Sequence, residues 1–283
     1  LRAVIEYVEE HLEAGPTLEQ MAAVARLSAY HFARQFKAAT GLPPHQYVIA
    51  RRVERAKQLL QSESDFSLAD VAASAGVRRF VHCSTSGTCG PAAGRPATEE
   101  DEPPAWELEV PYKRTKLAAE QLALAANAVV VNPTTPVGEG DRKPTPTGRM
   151  IAGVARGRLP GYVGTTGLNV VDVRDVGRGH ALALERGEPG QRYLLGGVDL
   201  SLEELFAAVA RLAGRRRPRV RVPYAVAEMA AAAGIANRNE VRLARLPMYF
   251  SSAKARSTLG YEPGPVEPAL ARAVTEALSK GEA

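Results

Sequence analysis

Apolar residues recur at helical spacing as far as Gly76-Val77 and in short β-branched runs beyond it, so one period cannot describe the whole chain. Before the seam, Val4, Ile5, Val8 and Leu12 place a helix over residues 2–13, ended by Gly15-Pro16. Thr17-Leu18-Glu19-Gln20 is a capping box that opens a second helix through about Arg26. Ser28 caps a third, Ala29 to Ala39, ended by Gly41-Leu42-Pro43-Pro44. Two short helices with a tight turn between them make a helix-turn-helix unit. In the third helix Phe32 and Phe36 share an inward face, which turns Tyr30, Ala33, Arg34 and Lys37 outward.

After the seam, Phe80–Ser84 reads as a short strand leading into Thr85-Ser86-Gly87. A loop rich in Pro, Glu and Asp follows, then a helix from Pro111-Tyr112 to about Ala126. Ala128–Asn132 reads as a fully buried parallel strand, Arg192–Leu195 as another, and Ser201-Leu202-Glu203-Glu204 caps the helix after it. Alternating strands and helices predict an α/β layer with a parallel sheet. Tyr112 and Lys116 lie four residues apart, on one face of their helix. An ammonium beside a phenol favours the phenolate, which suits acid/base work, and the Thr85 hydroxyl is placed to share a substrate oxygen. The glycine-rich stretch Gly87–Gly94 also follows a strand, but Pro91 and the run from Arg95 to Asp101 offer no helix to aim at a phosphate. His82 reads as a half-buried sheet residue, and Cys83 and Cys89 as inert.

The chain has 283 residues, 45% hydrophobic and 24% charged, enough for two globular modules. Its net charge of +5 is unevenly spread: residues 1–77 hold 8 basic and 9 acidic side chains, so the excess belongs to the second part. Overall charge therefore does not argue for nucleic-acid binding by the first module, whose basic face is local to Arg51, Arg52, Arg55 and Lys57. The run Arg215-Arg216-Arg217-Pro218-Arg219-Val220-Arg221 reads as a solvated loop, with a phosphate or nucleic-acid patch as the alternative. No apolar run has the length of a membrane span, nothing at the first residues resembles a signal peptide, and two cysteines make no disulfide framework. The expectation is a cytoplasmic, reduced protein.

The strings Tyr30–Lys37, Gly41, Pro44–Val48, Arg51–Leu60 and Ser67–Ala72 together resemble the AraC/XylS family of transcription regulators. That resemblance implies base contacts from Tyr30, Ala33 and Arg34, with Arg34 suited to guanine, and phosphate contacts from Lys37 and Arg51. Arg26 stands where that family usually has glycine in a left-handed turn, at a cost of about 1 kcal/mol. Past Ala75-Gly76-Val77 the family continues into a second recognition helix, whereas here a strand follows. DNA affinity is therefore expected near non-specific levels.

From about Gly76 to Leu278 the chain resembles extended short-chain dehydrogenases/reductases, in particular hopanoid-associated sugar epimerases and dihydroflavonol-reductase-like members. The matching text includes Val131–Gly138, Lys143–Arg149, Gly167–Val173 and Phe250–Lys254. The resemblance implies Tyr112 as general acid/base, Lys116 holding the nicotinamide ribose, Thr85 orienting substrate, and Asn132-Pro133 near the nicotinamide. It also implies NAD or NADP as cofactor and a sugar-like or polycyclic alcohol or ketone as substrate. The glycine-rich strand–turn–helix that holds the pyrophosphate in that family is not found in residues 1–77.

The expected architecture is thus an all-α helix-turn-helix module, residues 1–77, followed by an incomplete Rossmann-like α/β domain, residues 78–283, with a small C-terminal substrate subdomain. Weak DNA binding is expected over turnover. The alternatives are a working NAD(P)-dependent epimerase or reductase and a fusion with neither activity. An exposed sheet in the second module would favour a homodimer.

Overall fold

A computed structural model describes residues 1–61, 68–74, 76–77, 79–159, 161–164, 166–235, 241–242 and 244–279, which divide between two units, Leu1–Phe80 and Val81–Ala283. The first holds α1 (Arg2–Glu10), α2 (Leu18–Val24), α3 (Ala29–Thr40), α4 (Pro44–Gln61) and α5 (Leu68–Ser74), and no strand among its described residues. The Thr17 capping box forms in both directions: Gln20 N donates to Thr17 Oγ1 at 3.2 Å and Thr17 N to Gln20 Oε1 at 2.8 Å. Ser28 Oγ accepts from His31 N, and α3 stops at Gly41, whose φ of 79° is the left-handed C-cap. Between α2 and α3, Arg26 takes the left-handed turn at φ 55°.

α1 ends at Glu10, three residues short of the helix expected over residues 2–13. The His11 amide is shared between the Tyr7 and Val8 carbonyls, and the Leu12 carbonyl accepts from Arg52 Nε of α4 at 2.9 Å instead of from the helix. Gly76, at φ 62°, closes onto this corner, where a Cβ would strike the Leu12 and Glu13 carbonyls. Val4, Val8, Leu12, Met21, Phe32, Phe36 and Val48 form the core, with the Phe32 and Phe36 rings 5.2 Å apart.

The second unit contains β1 (Val81–Cys83), α6 (Pro111–Ala125), β2 (Val129–Pro133), β3 (Thr135–Val137), α7 (Pro146–Ala155), β4 (Gly161–Val163), β5 (Gly167–Asp172) and α8 (Val173–Arg186). It continues through β6 (Arg192–Leu195), β7 (Val198–Ser201), α9 (Leu202–Leu212), β8 (Val220–Val222) and α10 (Tyr224–Ala232). Two further helices close it, α11 (Ala253–Leu259) and α12 (Glu267–Ser279). It is a Rossmann-like α/β fold.

β2 runs parallel between β1 and β6, Val131 opposite Cys83 on one side and Tyr193 on the other. Every residue of β2 is buried, as its unbroken Val-Val-Val run requires, with α6 and α8 packed against it. The abrupt return from α6 into β2 is made by Asn127 at φ 56°.

The expected parallel sheet is present as β1-β2-β6, and among the described residues two further small sheets accompany it. β3 pairs parallel with β5, β5 antiparallel with β7, and β4 parallel with β8. The switch lies between β6 and β7, at Gly196-Gly197, where the chain passes so close to Asn169 and Val170 of β5 that a Cβ would collide with them. A second core of Ile151, Val154, Leu205, Phe206, Val209, Leu270 and Val274 joins α7, α9 and α12.

Candidate active site

The two residues singled out on α6 are placed very differently. Tyr112, in the first turn after Pro111, is 59% exposed, and no described residue hydrogen-bonds its hydroxyl. Lys116 lies one turn on, where its Nζ donates to the Cys83 carbonyl at 3.2 Å. The ammonium is thereby fixed to the C-terminal end of β1, two residues before Thr85. Thr85 N-caps a 3-10 turn, Ser86–Thr88, its Oγ1 accepting from Gly87 N at 3.2 Å, so its own O–H remains available as a donor.

Asn132, next to last in β2, is fully enclosed. Its Nδ2 faces the Thr85 carbonyl at 3.1 Å, Thr88 Oγ1 at 2.9 Å and Glu120 Oε2 at 2.7 Å, while its Oδ1 has no partner among the described residues. Pro133 is buried beside it. Asn132 therefore ties the Thr85 turn to the sheet.

The centre of this network is Glu120, which sequence reasoning missed. It is fully buried, accepts from Thr88 Oγ1 at 2.7 Å and pairs with Arg192 at 2.9 Å. Its signal was available, because Tyr112, Lys116 and Glu120 continue one i, i+4 stripe. The neighbouring Lys113 points away from that stripe into a buried pair with Glu107.

Cys83 is less inert than its sequence context suggested. His180 on α8 hydrogen-bonds the thiol and holds it below the ordinary thiol value, an effect that burial opposes. The imidazole is raised in return, chiefly by the same bond, and its Nδ1 lies 2.8 Å from the Val176 carbonyl. Cys89 is buried and its thiol is pushed up to about 12 by burial. His82 is half-buried and lowered, first by burial and then by Lys116.

A nicotinamide dinucleotide is fitted at one end only. An ammonium and an open phenol on one helix face, beside a strand's C-terminal end, suit the nicotinamide ribose. The pyrophosphate is not matched: among the described residues no glycine-rich turn leads directly from a parallel strand into a helix. In the Gly87–Gly94 stretch, Gly87 is packed against Lys113 and Thr85, and Gly90, at φ 66°, against Pro103. Those glycines admit neighbouring protein atoms. A cavity of 560 Å³ lies elsewhere, lined by Gly138, Thr145, Arg149, Arg156, Arg158 and Ala277 among others, and not by Thr85, Tyr112 or Lys116.

In the first unit Tyr30 is 74% exposed on α3, Arg34 and Lys37 are exposed with it, and Ala33 is half-buried. Arg51 is set apart from these. On α4 its guanidinium is held by Glu9, and that hydrogen bond raises its already high pKa.

Three relatives frame these geometries. The chain is 37% identical over 221 residues to the Synechocystis protein named "Putative dihydroflavonol 4-reductase", covering 71% of this chain and 64% of that relative's length. The crystal structure of gox2253 superposes with a TM-score of 0.67 at 36% identity, over 85% of this chain and 75% of that one. A nucleoside-diphosphate-sugar epimerase from Pseudomonas aeruginosa, PA4631, superposes at 0.66 with 26% identity, over 82% and 75%. Separately, 70 residues are 44% identical to the MmsAB operon regulatory protein of Pseudomonas aeruginosa, which is 25% of this chain and 22% of that one. The model of the NAD dependent epimerase/dehydratase family matches residues 46–196, beginning inside α4, some thirty residues before Gly76. That match spans more than half of the chain, and the chain belongs to the NAD dependent epimerase/dehydratase family.

Proposed function

We propose that the second module, residues 78–283, carries the proton-handling and substrate-side half of an NAD(P)-dependent epimerase or reductase reaction at a carbinol or keto carbon. The observation that carries this reading is Tyr112 standing open on α6 one turn from Lys116, whose ammonium is anchored at the end of β1 beside Thr85. The nicotinamide, when bound, supplies hydride chemistry at carbon; this chain's residues manage the oxygen. Tyr112 gives its proton to that oxygen as a carbonyl is reduced and takes it back as a carbinol is oxidised. The Thr85 hydroxyl donates to the same oxygen and orients it, and Lys116, one turn from Tyr112, is placed to hold the nicotinamide ribose. Asn132 and Glu120 keep the Thr85 turn in register with β2. The named relatives point to sugar-like or polycyclic alcohols and ketones as substrates. Tyr112→Phe is expected to lower the rate of NADH- or NADPH-dependent carbonyl reduction about a thousandfold with little change in melting temperature. A rate within a few-fold of the parent would remove Tyr112 from the chemistry.

A second reading belongs to the first module, residues 1–77, and is favoured by the exposure of Tyr30, Arg34 and Lys37 on the capped helix α3. We infer that this face contacts DNA weakly, with Tyr30, Ala33 and Arg34 towards bases and Lys37 on phosphate. Arg51, already paired with Glu9, adds little unless that pair opens. Arg34→Ala should flatten any sequence preference in a panel of duplexes. Equal affinity for every duplex before and after the change would exclude base readout.

A further inference from the structure

The arginine run of residues 215–221 leads through β8 and Pro223 directly into α10, and the two elements share an anomaly. α10 is apolar nearly all round, Glu228 being its one charged residue. Such a helix is ordinarily buried on all sides. Here Ala227 and Ala231 pack with Val241 against Val163 and Val222, but the described residues leave much of the opposite side exposed. Val226 is 47% exposed, Met229 64%, and Ile235 just beyond the helix 82%. Arg215, Arg216 and Arg219 are exposed and form no ion pair with a described residue, whereas Arg217 pairs with Glu203 and Arg221 binds the Gly164 carbonyl.

We propose that the segment from Arg215 to Ile235 is a peripheral docking surface for an anionic phospholipid bilayer. Its charge selects a polyanion, and its uncovered Val226, Met229 and Ile235 select one that also offers hydrocarbon. DNA or RNA would satisfy the arginines and leave the apolar side chains in water. No helix among the described residues is long and apolar enough to cross a membrane, so attachment is by a surface.

The test is co-sedimentation of the full chain with phosphatidylserine-containing vesicles and with pure phosphatidylcholine vesicles, at low and high salt. The parent should partition onto the anionic vesicles and be released by salt. Replacing Arg215, Arg216 and Arg219 together by Gln should weaken partition by about fivefold per arginine, on the order of a hundredfold in all. Met229→Glu combined with Ile235→Glu should weaken it by roughly tenfold or more with the arginines intact. Both sets change exposed side chains, and unchanged melting curves confirm that the variants fold. A parent left in the supernatant, or bound equally to both vesicle types, overturns the proposal. So does full binding by the Met229/Ile235 variant, which would make the patch a general polyanion site. A vesicle-free dimer of the parent that the same variant abolishes would assign the surface to a second copy and likewise overturn it.

Discussion

The helical unit and the α/β unit are stabilised over different distances along the chain. In the first, most bonds at helix ends join residues three or four apart, Thr17 with Gln20, Ser28 with His31 and Gly41 with Lys37, the end of α1 at Arg52 being the exception. In the second, the site is assembled from Thr85, Glu120, Asn132 and Arg192, whose contacts span from a dozen to more than seventy positions. Local chemistry is written where it acts. A network closed by strand pairing is not.

The sharpest way to break this contrast is Glu120→Ala. Removing the carboxylate leaves Arg192 with only backbone carbonyls of Glu99 and Asp101 and takes one buried acceptor from Thr88 and Asn132, which should cost the α/β unit about 3 kcal/mol. The helical unit should melt where it did before. A single shared transition that moves as a whole would show that the two units do not unfold separately. Ser28→Ala probes the other side, with an expected loss of about 1 kcal/mol confined to the helical unit, read from far-ultraviolet melting.

The smallest effect concerns the thiols. His180 holds Cys83 below the ordinary thiol value, so its thiolate forms at lower pH and iodoacetamide should react with it several-fold faster near neutral pH than in His180→Ala, where the midpoint moves up. Cys89, buried and raised, should stay unmodified in the folded protein. Equal rates in parent and variant would remove the Cys83–His180 bond from the account.

What was legible follows the same division. Capping boxes, the glycine stops, the left-handed turn at Arg26, and the strands Val129–Pro133 and Arg192–Leu195 all follow from short stretches of text. The early end of α1 does not, because Arg52, forty residues away, takes the Leu12 carbonyl. Nor does the antiparallel partner of β5, since nothing in Val198–Ser201 alone states which strand it meets. At the candidate site Tyr112, Lys116 and Thr85 stand out by residue type and spacing. Glu120 was overlooked although it lies on the same stripe, and His180 carries no local sign that it reaches Cys83.

The proposed site would hold the nicotinamide-ribose end of the cofactor through Lys116, with no pyrophosphate cradle among the described residues. The most direct measurement is a fluorescence titration of the full chain with NADH and with reduced nicotinamide mononucleotide, repeated on Lys116→Ala. The account predicts weak, saturable binding of both ligands with similar affinity, lost together when Lys116 is removed. NADH binding far more tightly than the mononucleotide, or affinity indifferent to Lys116, would contradict it.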